Sequence, residues 1–199
     1  MIYLRVEDLL GKKTLIIGDV GRGKTLLTLK IILKLIEIGL SEELTVLDFA
    51  PNKIEIDGDV IGGKLVEFSV FPFKVKYYTD RIFASRLMGR NSVEVLNFAR
   101  LNRRACDGLL RRYLRNPSSI LVINDITLYF QVDDLGLLPR VLEKSKTFIA
   151  NGYYGERLMD DKGSSVSLVE RRNLLDLIGM MDLVIDLNVV DYSSIFNNI

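Results

Sequence analysis

The chain has 199 residues, 48% of them hydrophobic and 27% charged, with 27 basic against 26 acidic side chains. That length and apolar content suffice for one buried core and one domain, and a formal net charge of +1 supplies no global field for nucleic acid or membrane. There is no histidine, which excludes histidine general bases and histidine metal sites, and the lone Cys106 excludes an internal disulfide or a thiolate cluster.

No apolar run approaches the roughly 20 residues of a bilayer span, because Lys30, Lys34 and Glu37 interrupt the most apolar segment. The start, Met1 to Asp8, lacks the basic-then-apolar order of a signal peptide, so a cytoplasmic protein without membrane association is expected. Residues 1–13 predict a short leading strand or turn. A first core strand is expected over 14–18, then a helix over 24–38 with Leu26, Leu27, Ile31, Leu35 and Ile38 on its apolar side and Gly39 as its stop. Residues 44–50 read as a second buried strand closed by Pro51, completing a β-α-β unit with parallel strands. Between Pro51 and Thr79 the alternation breaks. Residues 53–56 and 62–68 around a turn at Asp57-Gly58-Asp59 predict an inserted hairpin, and 73–78 predict an exposed or edge strand.

From Ser92 to Arg115 the period becomes helical, with Val93, Leu96, Leu101, Ala105, Leu109, Leu110 and Leu114 as the expected core stripe and Cys106 as a packing residue. Four consecutive aliphatics at Ile120–Ile123 predict a strand ending in Asn124-Asp125. A helix near 134–145, a strand over 147–151, a polar loop to about 166, a helix over 167–178 and a last strand over 182–187 follow. The expected fold is therefore three-layer α/β/α, with a mostly parallel five-stranded core sheet and the 51–79 hairpin insertion.

Gly18, Asp19, Val20, Gly21, Arg22, Gly23, Lys24 and Thr25 match G-x-x-x-x-G-K-[ST], the phosphate-binding loop, between a predicted strand and a predicted helix. Glycines let the backbone curl its N–H groups toward phosphate oxygens, and the helix that follows, from about Lys24 and including Leu26, adds its positive N-terminal dipole. Lys24 can neutralise the terminal phosphates and the Thr25 hydroxyl can ligate Mg²⁺. A bound nucleotide, ATP with Mg²⁺, is the expected cofactor. Asp125, at the carboxyl end of its strand, is the candidate second metal partner, set against an ordinary strand-end acid. The residue after it is Ile126, so no neighbouring carboxylate stands ready to activate water.

These positions resemble the additional-strand, RecA-like branch of P-loop NTPases. That resemblance implies a carboxylate at the end of the second strand polarising water, here Asp48, with a cap for the turn at Ala50-Pro51 as the alternative. It also implies a polar sensor near the γ-phosphate, here Asn151, on a strand lying between the loop strand and the Asp125 strand. A fainter resemblance to ATP:corrinoid adenosyltransferases covers Ile120–Tyr129, Phe148–Leu158 and Met181–Leu187, without the Asp-Glu pair usual there.

Residues 81–115 carry nine arginines (81, 86, 90, 100, 103, 104, 111, 112 and 115) against Glu94 and Asp107. Arg100, Arg104, Arg111 and Arg115 can share one face of the Arg100–Arg115 helix. A solvated face, a surface for nucleic-acid phosphates or an acidic protein, and an arginine finger in a homo-oligomer remain open. The Tyr153–Ser165 loop, with Arg157 and Lys162, is a candidate lid or a plain surface loop. Three functions compete: an ATPase coupled to a macromolecular partner or self-assembly, a small-molecule kinase or adenosyltransferase, and a nucleotide switch with little turnover.

Overall fold

The computed structural model describes residues 5–56, 59–71 and 74–190. Eight strands occur in chain order: β1 (Lys13–Gly18), β2 (Leu44–Asp48), β3 (Ile54–Ile56), β4 (Asp59–Ile61), β5 (Lys76–Thr79), β6 (Ile120–Asn124), β7 (Thr147–Tyr153) and β8 (Leu183–Asp186). Five helices join them: α1 (Lys24–Glu37), α2 (Ser85–Met88), α3 (Ser92–Arg115), α4 (Leu138–Lys144) and α5 (Val166–Ile178). Six strands form one sheet in the order β5-β2-β6-β7-β1-β8, and every neighbouring pair is parallel.

Successive residues of a strand face opposite sides of a sheet, and here both sides are covered. Leu15 and Ile17 of β1, Leu121 and Ile123 of β6, and Phe148 and Ala150 of β7 pack with α3, α4 and α5. Ile16, Val122 and Ile149, from the intervening positions, pack with Leu27, Ile31, Ile32 and Leu35 of α1. That two-sided burial explains why these strands read as continuous apolar runs. No helix among the described residues is long and apolar enough to cross a membrane.

The sheet departs from expectation in two ways. It has six strands rather than five, because β5 joins it at the β2 edge. The hairpin pairs Ile54–Ile56 with Asp59–Ile61 and stands apart from the main sheet, and part of its expected second arm is a 3₁₀ turn, Leu65–Glu67. Its expected turn at Asp57-Gly58, and Phe73 of the expected 73–78 strand, lie outside the described residues. β1 and β2 are parallel but not adjacent, since β7 and β6 lie between them.

Of the expected core stripe of α3, Leu109 and Leu110 are buried and Leu96, Ala105 and Leu114 pack against buried neighbours. Val93 and Leu101 are exposed, whereas Val95, Ala99, Asn102, Cys106, Leu109, Leu110 and Tyr113 face inward. This ladder steps by 3 or 4 residues from Val95 to Leu109, whereas the expected set breaks that spacing between Leu96 and Leu101. Asn102, one of the polar members, exchanges two 2.8 Å hydrogen bonds with the backbone of Phe83 and ties the segment after β5 to the helix.

Candidate functional site

The turn from β1 into α1 brings two glycines into the left-handed region, Gly21 at φ +76° and Gly23 at φ +83°. A Cβ at Gly21 would meet open space, so the requirement there is conformational rather than steric. Gly23 precedes α1 without offering a side-chain cap, and the first helical turn holds no acid. The helix thus starts with no side-chain oxygen on its amides, the arrangement that receives an anion.

Lys24 folds back over the turn and donates from Nζ to the Asp19 carbonyl oxygen at 2.6 Å. Burial pulls its ammonium down to about 8, against the opposing charges of Asp125 and Asp19. The Asp19 carboxylate is clasped in turn: Oδ1 accepts from the Val20 amide at 2.6 Å and Oδ2 from the Glu156 amide at 3.1 Å. Burial raises that carboxyl, but the Glu156, Val20 and Arg157 amides and the Lys24 charge outweigh it and hold it below the usual range. Gly155 is required by this clasp, because any Cβ there would run into the Asp19 carboxylate.

Across the cleft, Asp125 follows β6 with φ 56° and ψ 56°, a left-handed conformation that few non-glycine residues adopt. Its amide donates to Asn151 Oδ1 at 3.0 Å, and its Oδ1 accepts from the Thr127 hydroxyl at 3.0 Å. Thr127 Oγ1 also accepts from the Tyr153 amide at 3.1 Å, which ties the end of β7 to the same turn. Burial pushes the Asp125 carboxyl above its ordinary value, with the Lys24 charge pulling the other way.

Beneath these groups runs a buried polar chain. Asn151 Nδ2 donates to Thr28 Oγ1 at 2.8 Å and to Asn124 Oδ1 at 2.7 Å, and Thr28 donates to the Lys24 carbonyl at 2.9 Å. Asn124 Nδ2 donates to Asp48 Oδ1 at 2.8 Å. Asp48 is fully buried and accepts three further bonds, from the Ala50 amide (3.1 Å), the Leu65 amide (2.6 Å) and the Tyr77 hydroxyl (2.7 Å). Burial raises its carboxyl while all four donors favour the charged form. Asp48 therefore caps the turn at Ala50 and does not line the cleft.

The cleft is about 240 Å³ and brings together Val20, Gly21, Gly23, Lys24, Thr25 and Leu26 with Asp125, Asn151, Tyr153 and Leu158. Gly18, Asp19 and Arg22 of the expected loop set lie behind or beside it, with Arg22 exposed. The Tyr153 ring stands 6.0 Å from Lys24 Nζ and 5.2 Å from the Arg86 guanidinium. Arg86 itself is buried against Glu170, with Oε1 at 3.0 Å and Oε2 at 3.1 Å from one nitrogen, and Gln131 donates to the same carboxylate at 2.9 Å. Among the described residues no group of three or more acids or cysteines could hold a metal unaided. A hydroxyl and a carboxylate facing one cleft nonetheless fit a Mg²⁺ ion whose remaining ligands come from phosphate and water.

Several members of this site were not singled out from sequence. Thr28 follows Lys24 by one helical turn in an otherwise apolar stretch, a spacing that marks it in hindsight. Thr127, two residues after Asp125, carried a similar local signal. The Arg86–Gln131–Glu170 cluster joins positions 39 to 84 residues apart, and nothing local announces it.

Fold and site together define an open, all-parallel α/β protein with a glycine-turned cleft at the carboxyl ends of its strands, where such sheets bind ligands. No protein-family model matches the chain, and no significant relative is found among curated proteins.

Proposed function

We propose that the protein binds ATP with Mg²⁺ at Gly18–Thr25, as a P-loop NTPase of the additional-strand, RecA-like branch. The observation that carries this reading is the convergence of Lys24, Thr25 and Asp125 on one cleft at an uncapped helix start. The position of β7 between β1 and β6 supports the branch. Lys24 leaves the Asp19 carbonyl to neutralise β/γ-phosphate charge. Thr25 and Asp125 hold the Mg²⁺, which screens the phosphate oxygens when bound. Asn151 fixes Asp125 through its amide and lines the cleft beside it.

Among the described cleft-lining side chains Asp125 is the one carboxylate, and none of the others is an acid that could orient water. Turnover therefore waits on a macromolecular partner or on another copy of the chain, and the isolated protein hydrolyses slowly. Transfer to a small acceptor is the second reading, and the cavity beyond Asp125 and Tyr153, about 60 Å³, is where that acceptor would sit. Titration calorimetry with Mg·ATP tests the reading. Lys24→Ala and Thr25→Ala should each weaken binding by tenfold or more, and undiminished affinity in Lys24→Ala would overturn it.

A further inference from the structure

The cleft uses none of the arginines of α3. Of the nine basic residues in this region, Arg86 is consumed by Glu170, Arg90 by Glu94 at 2.8 Å, and the buried Arg103 by the Val132 and Asp134 carbonyls at 3.1 and 2.7 Å. Arg100, Arg104, Arg111 and Arg115 are exposed, and none has an ion pair among the described residues. At 3.6 residues per turn they fall within about 60° of one another, in a row roughly 22 Å long. The two acids of the helix do not neutralise this row. Glu94 is held by Arg90, and Asp107 accepts from the Tyr129 hydroxyl at 2.7 Å.

Two further features border the row. Gly108 lies at the same face, exposed in mid-helix, and a Cβ there would touch nothing within 4 Å. Glycine weakens a helix interior, and no contact within the protein explains it at this place. A backbone approaching closely from outside would. Round the helix from the row, by about 60° at Arg112 and about 100° at Phe98, lie partly exposed aromatics on the side toward β5. Arg112 stacks on Tyr78 at 3.8 Å, and Phe83 packs on Phe98 at 4.9 Å with Arg81 over it at 5.0 Å.

We propose that this face of α3 binds a single strand of nucleic acid, its phosphates along Arg100, Arg104, Arg111 and Arg115 and its bases turned toward the Tyr78 and Phe83 side. The one-sided row suits one backbone rather than two, and a neighbouring aromatic band serves unstacked bases. An acidic protein would use the charges but not the band. The site stands apart from the cleft, so it does not depend on the nucleotide reading.

The test is fluorescence anisotropy of a labelled 20-nucleotide strand, without ATP, between 50 and 300 mM salt. Four arginines on single-stranded phosphates give a slope of log K against log[salt] of about −2.8, and Arg104→Ala/Arg111→Ala should bring it to about −1.4 with at least tenfold weaker binding. Gly108→Leu should weaken binding while leaving the helical circular dichroism intact. Lys24→Ala should leave strand binding unchanged, so a failure of the nucleotide reading is seen separately. The proposal is overturned if the strand does not bind at 50 mM salt, if the double variant binds alike, or if duplex or polyglutamate binds more tightly than the strand.

Discussion

Lys24 donates to the carbonyl oxygen of Asp19, five residues back, so the lysine that would meet phosphate is parked on its own loop. Burial holds it near 8 in the free protein, below its ordinary 10.5. Phosphate oxygens favour the ammonium, so nucleotide binding above pH 8 must take up a proton. Affinity for Mg·ATP should be level near pH 7 and fall up to about tenfold per unit above pH 8, while Lys24→Arg, always charged, stays level. The same shift acts on folding with the opposite outcome. Between about 8 and 10.5 the unfolded chain binds more protons at this lysine, so Lys24 adds stability as pH rises through that window, set against the loss from the buried Cys106 thiol and the Tyr77, Tyr113, Tyr129 and Tyr153 hydroxyls, which burial pushes up. Urea titrations should show the Lys24 contribution as the difference between the unaltered protein and Lys24→Met.

Asn151 joins β6, β7 and α1 through three hydrogen bonds made by a side chain only 1% exposed. Leucine at this place would strand the Asp125 amide, the Asn124 carbonyl oxygen and one valence of Thr28. Each unmet buried group costs about 1–3 kcal/mol, so Asn151→Leu should lose about 3 kcal/mol or more in urea unfolding. A loss below about 1 kcal/mol would show that the chain beneath the cleft does not hold it together.

Gly152 carries no unusual backbone angle, but a Cβ there would sit 2.8 Å from Thr127 Cγ2. Gly152→Ala should therefore push Thr127 off both Asp125 and the Tyr153 amide, at a cost of about 1–3 kcal/mol. Mg²⁺-dependent nucleotide affinity should fall with it. Adding Thr127→Ser removes the colliding methyl and keeps the hydroxyl, so the pair should recover most of both losses. Failure to recover would locate the clash elsewhere.

The contrast between these residues shows what a sequence can carry. The Gly18–Thr25 loop was legible because its glycines, Lys24 and Thr25 stand close together in sequence, and Asp125 because it ends an aliphatic run. Both sheet faces are covered by helices, so every core strand was a continuous apolar run and could be located. Asp48 shows the opposite case. Its position at a strand end fitted either a catalytic or a capping acid, and only the arrival of the Leu65 amide and the Tyr77 hydroxyl from 17 and 29 residues away decides what surrounds it. The α3 stripe was legible only in part for a related reason: Val93 and Leu101 lie outside it, while Asn102 and Arg103 are polar in sequence but buried by partners that period alone does not reveal. The arginines left outside were visible as a cluster, but which of them were already taken was not.

Asp48 gives the last prediction, because its two possible roles differ in what they leave behind. Four donors converge on its carboxylate inside the protein, two of them backbone amides that cannot turn away. In Asp48→Asn an NH₂ group must face at least one of those donors, so stability should fall by about 2–4 kcal/mol. Tyr77→Phe removes a single donor from the same oxygen and should lose about 1 kcal/mol. If Asp48 is the structural tie that this geometry describes, ATP turnover per folded molecule should stay within about twofold in both variants, measured below their unfolding transitions. A base that positions the attacking water would behave otherwise. Its loss typically slows the chemical step by about 10²–10⁴. A hundredfold drop in Asp48→Asn, with Tyr77→Phe near normal, would return Asp48 to the reaction.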